Sequence, residues 1–227
     1  MFGFPELYGG AVCLDFANTL DGRATQDPEE YLHSYADLVS WAEYAGVLDP
    51  ATARRLAGPV SDDVAAAARR ASASLNDRAA ARQSAGPSAT DVALRIAVDL
   101  REAIFGVFAA VGRGEDAPEA FVDLVQLRYA DAMAAARLAP GDDGFDWQFG
   151  GDAPDRAWWP IAVSAVSLLT AGPLNRVKVC AAEEGCIGLF LDTSKNRSRR
   201  WCTMDGCGVE AKVQRQARRR RSARTGS

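Results

Sequence analysis

Apolar residues recur at helical spacing through most of the first 170 positions of the chain. The clearest stripe lies between residues 90 and 111 and consists of Val92, Ile96, Leu100, Ile104, Phe108 and Val111. Neighbouring members are three or four residues apart, which is the pattern of an amphipathic helix. The same spacing predicts helices over residues 31–45 and 118–138, and an Ala/Arg-rich helix over residues 61–82. The chain therefore begins with a mainly α domain.

Shorter signals add detail to this domain. Asp49 is a good N-cap for a short helix. Residues 141–144, Gly-Asp-Asp-Gly, are typical of a turn, and residues 145–149 then alternate apolar and polar side chains. Alternation of this kind predicts a short strand within the helical domain.

The last helix predicted in the first domain covers residues 156–170, with Asp155 as its cap. It is apolar on nearly every side, which predicts the buried centre of the domain. The Gly-Pro pair at 172–173 closes it, so the domain is predicted to span residues 1–175.

Four of the five cysteines lie in the last fifth of the chain, at Cys180, Cys186, Cys202 and Cys207. Two close pairs joined by a longer loop can hold a tetrahedral Zn²⁺, because each pair turns two thiolates toward one point. A segment of about fifty residues buries only a small core, so a metal would supply stability that apolar packing cannot. Residues 176–227 are therefore predicted to form a small four-cysteine module around one structural zinc ion.

Two disulfides, an iron–sulfur cluster or four free thiols are the alternatives to zinc. The amino-terminal residues MFGFPELYGG lack the basic start and apolar run of a signal peptide, so we expect a cytoplasmic protein with reduced thiols. The cysteine spacings also differ from those of ferredoxins. No apolar stretch reaches the ~18 residues of a membrane helix, and no membrane partner is expected.

The sequence predicts no enzymatic activity. Its single histidine, His33, has no recognisable nucleophile motif beside it. Four cysteines saturate a zinc ion and leave no position for a reactive water, in contrast to catalytic zinc sites. The metal is therefore predicted to be structural.

Charge divides the chain near the start of the cysteine module. From Lys178 onward, twelve Lys and Arg stand against five Asp and Glu, a formal charge of +7, and the preceding part carries −11. A basic segment on an acidic body is typical of a protein that meets a polyanion. The candidate contacts to nucleic acid are Lys195, Arg197, Arg199 and Arg200, followed by Lys212, Arg215, Arg218 and Arg219.

The second group of these cations falls in a predicted basic C-terminal helix over residues 204–221. Val209 and Val213 lie on another face of that helix, suited to packing on the zinc core. Phosphate contacts of this kind predict DNA binding, with RNA or an acidic protein as alternative partners. A solvated, disordered tail is the remaining interpretation.

Two further groups allow two interpretations each. Trp201 and Phe190 could stack on bases or pack over the zinc site, and their spacing favours packing. Asp15, Asn18 and Arg23 could line a pocket for a small-molecule effector. Alternatively, Asp15 and Asn18 cap or bridge helices, because buried polar groups need hydrogen-bond partners.

Residues 186–208, CIGLFLDTSKNRSRRWCTMDGCG, resemble the CGNR zinc-finger domain. Residues 13–19, CLDFANT, and residues 37–42, DLVSWA, are similar to the ABATE domain that usually precedes that finger. The resemblance implies a mostly helical first domain and a bacterial, often stress-linked, transcription regulator. The tetrapeptide that names the family stands here as Cys-Gly-Val-Glu, so Val209 and Glu210 replace Asn and Arg. If that Arg touches phosphate, this chain has repulsion instead of the contact.

The prediction for the whole chain is a two-domain DNA-binding regulator with a sensory or dimerising helical domain. A homodimer would suit paired half-sites on DNA. The main alternative is a protein-interaction adaptor whose zinc module docks on an acidic protein or on RNA.

Overall fold

A computed structural model describes residues 3–58, 87–141, 144–182 and 185–225, with side chains as far as residue 218. Its helices are α1 (Val12–Ala17), α2 (Tyr35–Tyr44), α3 (Pro50–Ala57), α4 (Ala89–Arg113), α5 (Glu119–Ala135), α6 (Trp159–Ala171) and α7 (Val209–Thr225). Antiparallel two-stranded sheets pair β1 (Leu20–Asp21) with β2 (Glu29–Glu30), β3 (Ala136–Gly141) with β4 (Gly144–Phe149), and β5 (Val177–Val179) with β6 (Leu189–Leu191). The fold is mainly helical, as predicted, and the helix predicted over residues 61–82 lies outside the described residues.

Local capping explains where two of the predicted helices begin. The Asp49 carboxylate accepts from the amides of Ala51 and Thr52 at 3.0 and 2.9 Å, which confirms the predicted cap of α3. Helix α4 starts with a reciprocal cap, in which Ser88 and Asp91 each accept the other's backbone amide through a side-chain oxygen.

The sequence-based boundary of α5 is wrong. A helix was predicted to residue 138, but it ends at Ala135 and residues 136–141 form β3. Leu138 lies opposite Trp147 in the β3–β4 register, and the predicted strand over residues 145–149 is confirmed. The hairpin is favoured over a longer helix because β4 offers residues 136–141 a hydrogen-bonding partner.

The entry to α6 also differs from the prediction. A 3₁₀ turn, Pro154–Ala157, precedes the helix, and Asp155 accepts from the indole nitrogen of Trp158 at 3.1 Å instead of capping it. Helix α6 buries Ile161 and Ala165 completely, whereas Val163 is only half-buried. The helix therefore contributes one face to the core.

Helix α4 lies at the centre of the helical body and contacts α1, α2, α5 and β5. Its inner face buries Leu100, Ile104 and Phe108 completely. Beside it, the rings of Phe16 and Trp41 pack with centroids 5.0 Å apart. Burying each side chain of this size contributes about 1.5–3 kcal/mol, so this cluster is a large contribution to the stability of the body.

A bilayer crossing requires a long, continuously apolar helix. None of the helices in the part of the chain that the structure describes meets that requirement.

Candidate metal centre and basic loop

The sulfurs of Cys180, Cys186, Cys202 and Cys207 all lie within 4.8 Å of one another. The Sγ of Cys202 is 3.6 Å from that of Cys186 and 3.6 Å from that of Cys207. A tetrahedral ion with Zn–S bonds of ~2.3 Å separates its ligand sulfurs by ~3.8 Å. The two measured separations are close to this value, so the arrangement of the four thiols suits one zinc ion.

Backbone amides order the first cysteine pair and join it to the second. The amide of Cys180, just after β5, donates to the carbonyl of Gly188 at 2.8 Å. The amide of Cys202 donates to the Sγ of Cys180 at 3.4 Å, a contact that stabilises a thiolate. Phe190, which is fully buried, and Trp201 pack in the same cluster as the cysteines, which confirms the packing interpretation of these aromatics.

Crowding couples the four thiols electrostatically. A hydrogen bond from the Cys186 thiol lowers the pKa of Cys180, and the same bond raises the pKa of Cys186 to about 12. The pKa of Cys202 is raised as well, and the largest cause is its hydrogen bond to Cys180. Several adjacent thiolates therefore need a cation to coexist, and metal binding must release protons.

The first cysteine pair lies against the helical body. Gly185 adopts φ +91°, and a Cβ at this position would come within 2.6 Å of the Thr25 methyl group. The carbonyl of Gly185 accepts from the amide of Ala24 at 3.3 Å. A glycine is thus required both by the left-handed backbone and by the close approach.

The outer edge of β6 is also covered by the body. Asn18, at the carboxyl end of α1, donates to the carbonyl of Leu189 and accepts from its amide, both at 2.9 Å. The carbonyl of Gly9 accepts from the amide of Leu191 at 2.8 Å. The strand edge is therefore paired rather than open, and the metal module is docked on the helical body.

The segment between the two cysteine pairs contains the basic loop, residues 194–200. Asp192 lies two residues before the loop and is fully buried. Its carboxylate accepts from the ammonium of Lys178 at 2.6 Å and from the hydroxyl of Ser194 at 2.6 Å. Burial alone would raise the pKa of Asp192, but these bonds outweigh it and hold the pKa well below its usual range. Sequence reasoning missed this aspartate, although it is the single acid among residues 187–201.

The cations of the basic loop do not all face the same way. Lys195, Arg197 and Arg200 are exposed, and Arg200 also lies over the Trp201 ring at 5.4 Å. Arg199 is half-buried, with its Nε donating to the carbonyl of Trp201 at 3.0 Å. The guanidinium of Arg199 also donates to the carbonyl of Cys202 and lies 4.5 Å from the centre of the Phe190 ring. Arg199 therefore supports the metal site from within.

The second group of predicted contacts follows the last cysteine. Lys212, Arg215 and Arg218 are exposed on α7, and the side chain of Arg219 lies outside the described residues. A π-helical turn, Met204–Gly208, precedes α7. Val209 and Val213 are 49% and 58% exposed, so the expectation that they pack on the metal core is wrong. The π turn carries Cys207 to the metal site, and α7 starts only after it.

The candidate effector residues of the first domain bond to protein atoms. Asp15 accepts from the amide of Gly9 at 2.6 Å, and Asn18 bonds Leu189 as described above. Arg23 donates to Glu102 at 3.1 Å and to the carbonyl of Ala17 at 3.0 Å. All three therefore bridge parts of the fold, in keeping with the bridging interpretation of Asp15 and Asn18.

Asp15→Asn is expected to stabilise the protein at neutral pH. Burial raises the pKa of Asp15 to about 6, and the hydrogen bond from Gly9 offsets only part of that rise. A carboxyl whose folded pKa exceeds its unfolded value destabilises the fold once ionised, so stability falls between about pH 4 and pH 6. Asn keeps an acceptor for Gly9 without the charge, which should raise the free energy of unfolding by about 1–3 kcal/mol near pH 7.5.

Urea unfolding at about pH 4 and about pH 7.5 measures this effect. The gain should be small at the lower pH, where wild-type Asp15 is protonated. Asp27→Asn, at an exposed position, is the matched control and should change neither value. A loss of stability at both pH values would contradict the assignment.

Two protein-family models match the chain, and together they cover most of its length. Residues 10–172 match ABATE, described as "Putative stress-induced transcription regulator", and residues 176–221 match the CGNR zinc finger. No curated protein matches the chain. With four sulfurs at ligand distance, the zinc-finger match confirms one structural zinc ion. The thiols of Cys180, Cys186, Cys202 and Cys207 are the group placed to hold it.

Proposed function

Because the chain belongs to the ABATE family and carries a CGNR zinc finger, we propose that it is a transcription regulator that binds DNA through its zinc module. Both families point to a regulatory role rather than to an enzyme. Residues 1–175 form the proposed sensory or dimerising part, and residues 176–227 form the part that contacts DNA.

The basic loop carries this proposal. Lys195, Arg197 and Arg200 are exposed on a segment that is fixed at both ends by zinc ligands. The one acid of the segment, Asp192, is buried against Lys178, so it does not oppose an approaching phosphate. Exposed guanidinium and ammonium groups on an ordered scaffold are suited to the DNA backbone.

Helix α7 extends the positive surface beyond the last zinc ligand. Lys212 and Arg215 are exposed three residues apart, on neighbouring positions of one helix face. Contacts from these side chains to phosphate would give affinity without sequence information. A second basic element next to the loop supports a nucleic-acid partner over a merely solvated tail.

A protein is the second candidate partner, and the residues in the first turns of α7 favour it. Val209 and Val213 are one helical turn apart and 49% and 58% exposed, and Glu210 adds a negative charge next to Val209. An apolar pair beside an acid is suited to a protein surface rather than to phosphates. This alternative is an adaptor that uses the zinc module to assemble complexes.

Replacing both Arg197 and Arg200 with Gln is expected to weaken DNA binding about tenfold at about 0.15 M salt. If each side chain neutralises one phosphate, the slope of log K against log salt should fall by about 0.9 per residue. Fluorescence anisotropy with a random-sequence duplex over a salt series measures both quantities.

Arg137→Gln is the matched control, because Arg137 is exposed on β3 of the helical body. It should leave the affinity and the slope unchanged. Parallel titrations with single-stranded RNA and with an unrelated acidic protein separate the candidate partners. Binding to the acidic protein without salt-dependent binding to either nucleic acid would support the adaptor instead.

A further inference from the structure

We infer that Asp192 is a positioning residue, which orders the basic loop so that its exposed cations can meet phosphates together. This inference rests on the proposed nucleic-acid function and deepens it. Asp192 itself touches no partner, since it is fully buried. Its role is exerted through Lys178 and the backbone of residues 194–199.

The Asp192 carboxylate joins both ends of the loop. One oxygen accepts from the amide and the hydroxyl of Ser194, at 2.9 and 2.6 Å. The other oxygen accepts from the amide of Arg199 at 3.1 Å. The Ser194 hydroxyl oxygen in turn accepts from the amide of Ser198 at 2.9 Å. These bonds close residues 194–199 into a compact turn.

Lys178 fixes the same turn from β5. Its ammonium donates to Asp192, to the carbonyl of Arg197 at 2.6 Å and to the carbonyl of Arg199 at 3.0 Å. With the carbonyls of Arg197 and Arg199 directed inward, the backbone of the loop is set while the Arg197 and Arg200 side chains are exposed. Arg197 has φ +52°, a left-handed conformation that a non-glycine residue adopts only where its surroundings impose it.

Arg176 completes the support. Its guanidinium donates to the carbonyl of Asp192 at 2.7 Å and to the carbonyl of Ser194 at 3.2 Å. Arg176, Lys178 and Arg199 therefore use their donors on the backbone of the module. Within the basic loop, the outward positive charge comes instead from Lys195, Arg197 and Arg200.

The change of charge and the loss of loop order have opposite expected effects on the DNA affinity of Asp192→Asn. The substitution adds one positive unit to the module, and electrostatics alone would tighten binding to a polyanion. Loss of order would weaken binding, because the cations must then be arranged at the moment of contact. We expect affinity for a random duplex to fall about tenfold, with a salt slope smaller by about one.

Asp205→Asn is the matched control, because it adds the same charge at an exposed position of the same module. It should leave the affinity unchanged or raise it slightly. Ser194→Ala changes no charge and removes two of the hydrogen bonds, so it should weaken binding less than Asp192→Asn does. If Asp192→Asn does not retain zinc, DNA binding by Ser194→Ala tests the inference in its place. Asp192→Asn protein that holds one zinc ion and binds DNA as tightly as wild type would overturn the inference.

Hydrogen exchange separates this inference from the proposed function. The amides of Ser194, Ser198 and Arg199 should exchange faster in Asp192→Asn and in Ser194→Ala, and at the wild-type rate in Asp205→Asn. If the wild-type protein binds no nucleic acid, the proposed function fails whatever the exchange rates are. If it binds and the three amides keep their wild-type rates in Asp192→Asn, the positioning role fails alone.

Discussion

Cys202→Ser is expected to release the zinc ion and to unfold the carboxyl-terminal module. Cys202 is 3% exposed, and its sulfur lies 3.6 Å from the sulfurs of both Cys186 and Cys207. A structural zinc ion contributes on the order of 10 kcal/mol to the folding of such a module. The small apolar cluster around Phe190 supplies only a few kcal/mol, so it cannot replace the metal.

Elemental analysis should find one zinc ion per wild-type chain and none in Cys202→Ser. The near-ultraviolet circular dichroism of Trp201 should be lost with the metal, together with any binding to DNA. A strong chelator should have the same effect on the wild-type protein, and added zinc should reverse it. Acid should also release the ion, because the raised pKa of Cys186 lets protons compete with the metal.

Cys13→Ala is the control for loss of a thiol as such. Cys13 is fully buried in α1, and burial raises its pKa to about 12, so it behaves as a small apolar side chain. Its replacement should cost about 1 kcal/mol of stability and leave the zinc content unchanged. Retention of one zinc ion and of the Trp201 signal in Cys202→Ser would contradict the assigned ligand set.

Arg101→Met is expected to lower the free energy of unfolding by about 3–5 kcal/mol. Arg101 is 2% exposed in α4, and its guanidinium donates to both carboxylate oxygens of Glu30 at 2.6 and 2.7 Å. Its Nε donates to Glu102 at 2.9 Å. Removing the cation leaves the half-buried carboxylate of Glu30 without its charged partner and breaks the ion pair that links β2 to α4.

The cost should depend on pH in a defined direction. Burial raises the pKa of Glu30, but the hydrogen bonds from Arg101 outweigh it and bring the pKa below its usual value of 4.5. Because the pKa of Glu30 is lower in the folded than in the unfolded state, the ion pair stabilises the protein fully at pH values above 4.5. This stabilisation is lost as the pH falls through the folded pKa. The difference between wild type and Arg101→Met in urea unfolding should therefore narrow below about pH 4.

Two further variants identify the source of the loss. Arg54→Met changes an exposed arginine of α3 and should shift stability by no more than about 0.5 kcal/mol. Adding Glu30→Gln to Arg101→Met removes the orphaned charge and should recover part of the loss. If the double variant is no more stable than Arg101→Met, lost packing of Arg101 rather than the unpaired charge of Glu30 accounts for the effect.

The sequence predicted features that depend on near neighbours. The helical stripe of residues 90–111 and the Asp49 cap arise within a few residues, because periodicity and capping are local. It failed at residues 136–138, where a partner strand competes with the helix. The secondary-structure propensity of residues 136–138 does not include this pairing, since a hairpin also depends on the strand that follows.

The basic residues show the limit more clearly. Lys195 and Arg199 look alike in the sequence, but the first is exposed and the second donates to backbone carbonyls beside Phe190. Nothing local distinguishes them, because the acceptors become available only when the loop folds over the metal site. From the sequence, Lys178 also looks like an ordinary surface lysine. In the structure its ammonium donates to Asp192, fourteen residues further along the chain.

The sequence by itself determined the four-cysteine zinc motif, the helical body and the separation of charge, because cysteine spacing, periodicity and composition are written along the chain. Only the tertiary structure decided which cations face outward and how the module is held. Asn18 meets Leu189 across 171 positions, and Asp192 gathers donors from β5 and from both ends of the loop. A buried polar group takes the partner that folding brings within 3 Å, and sequence distance does not specify that partner.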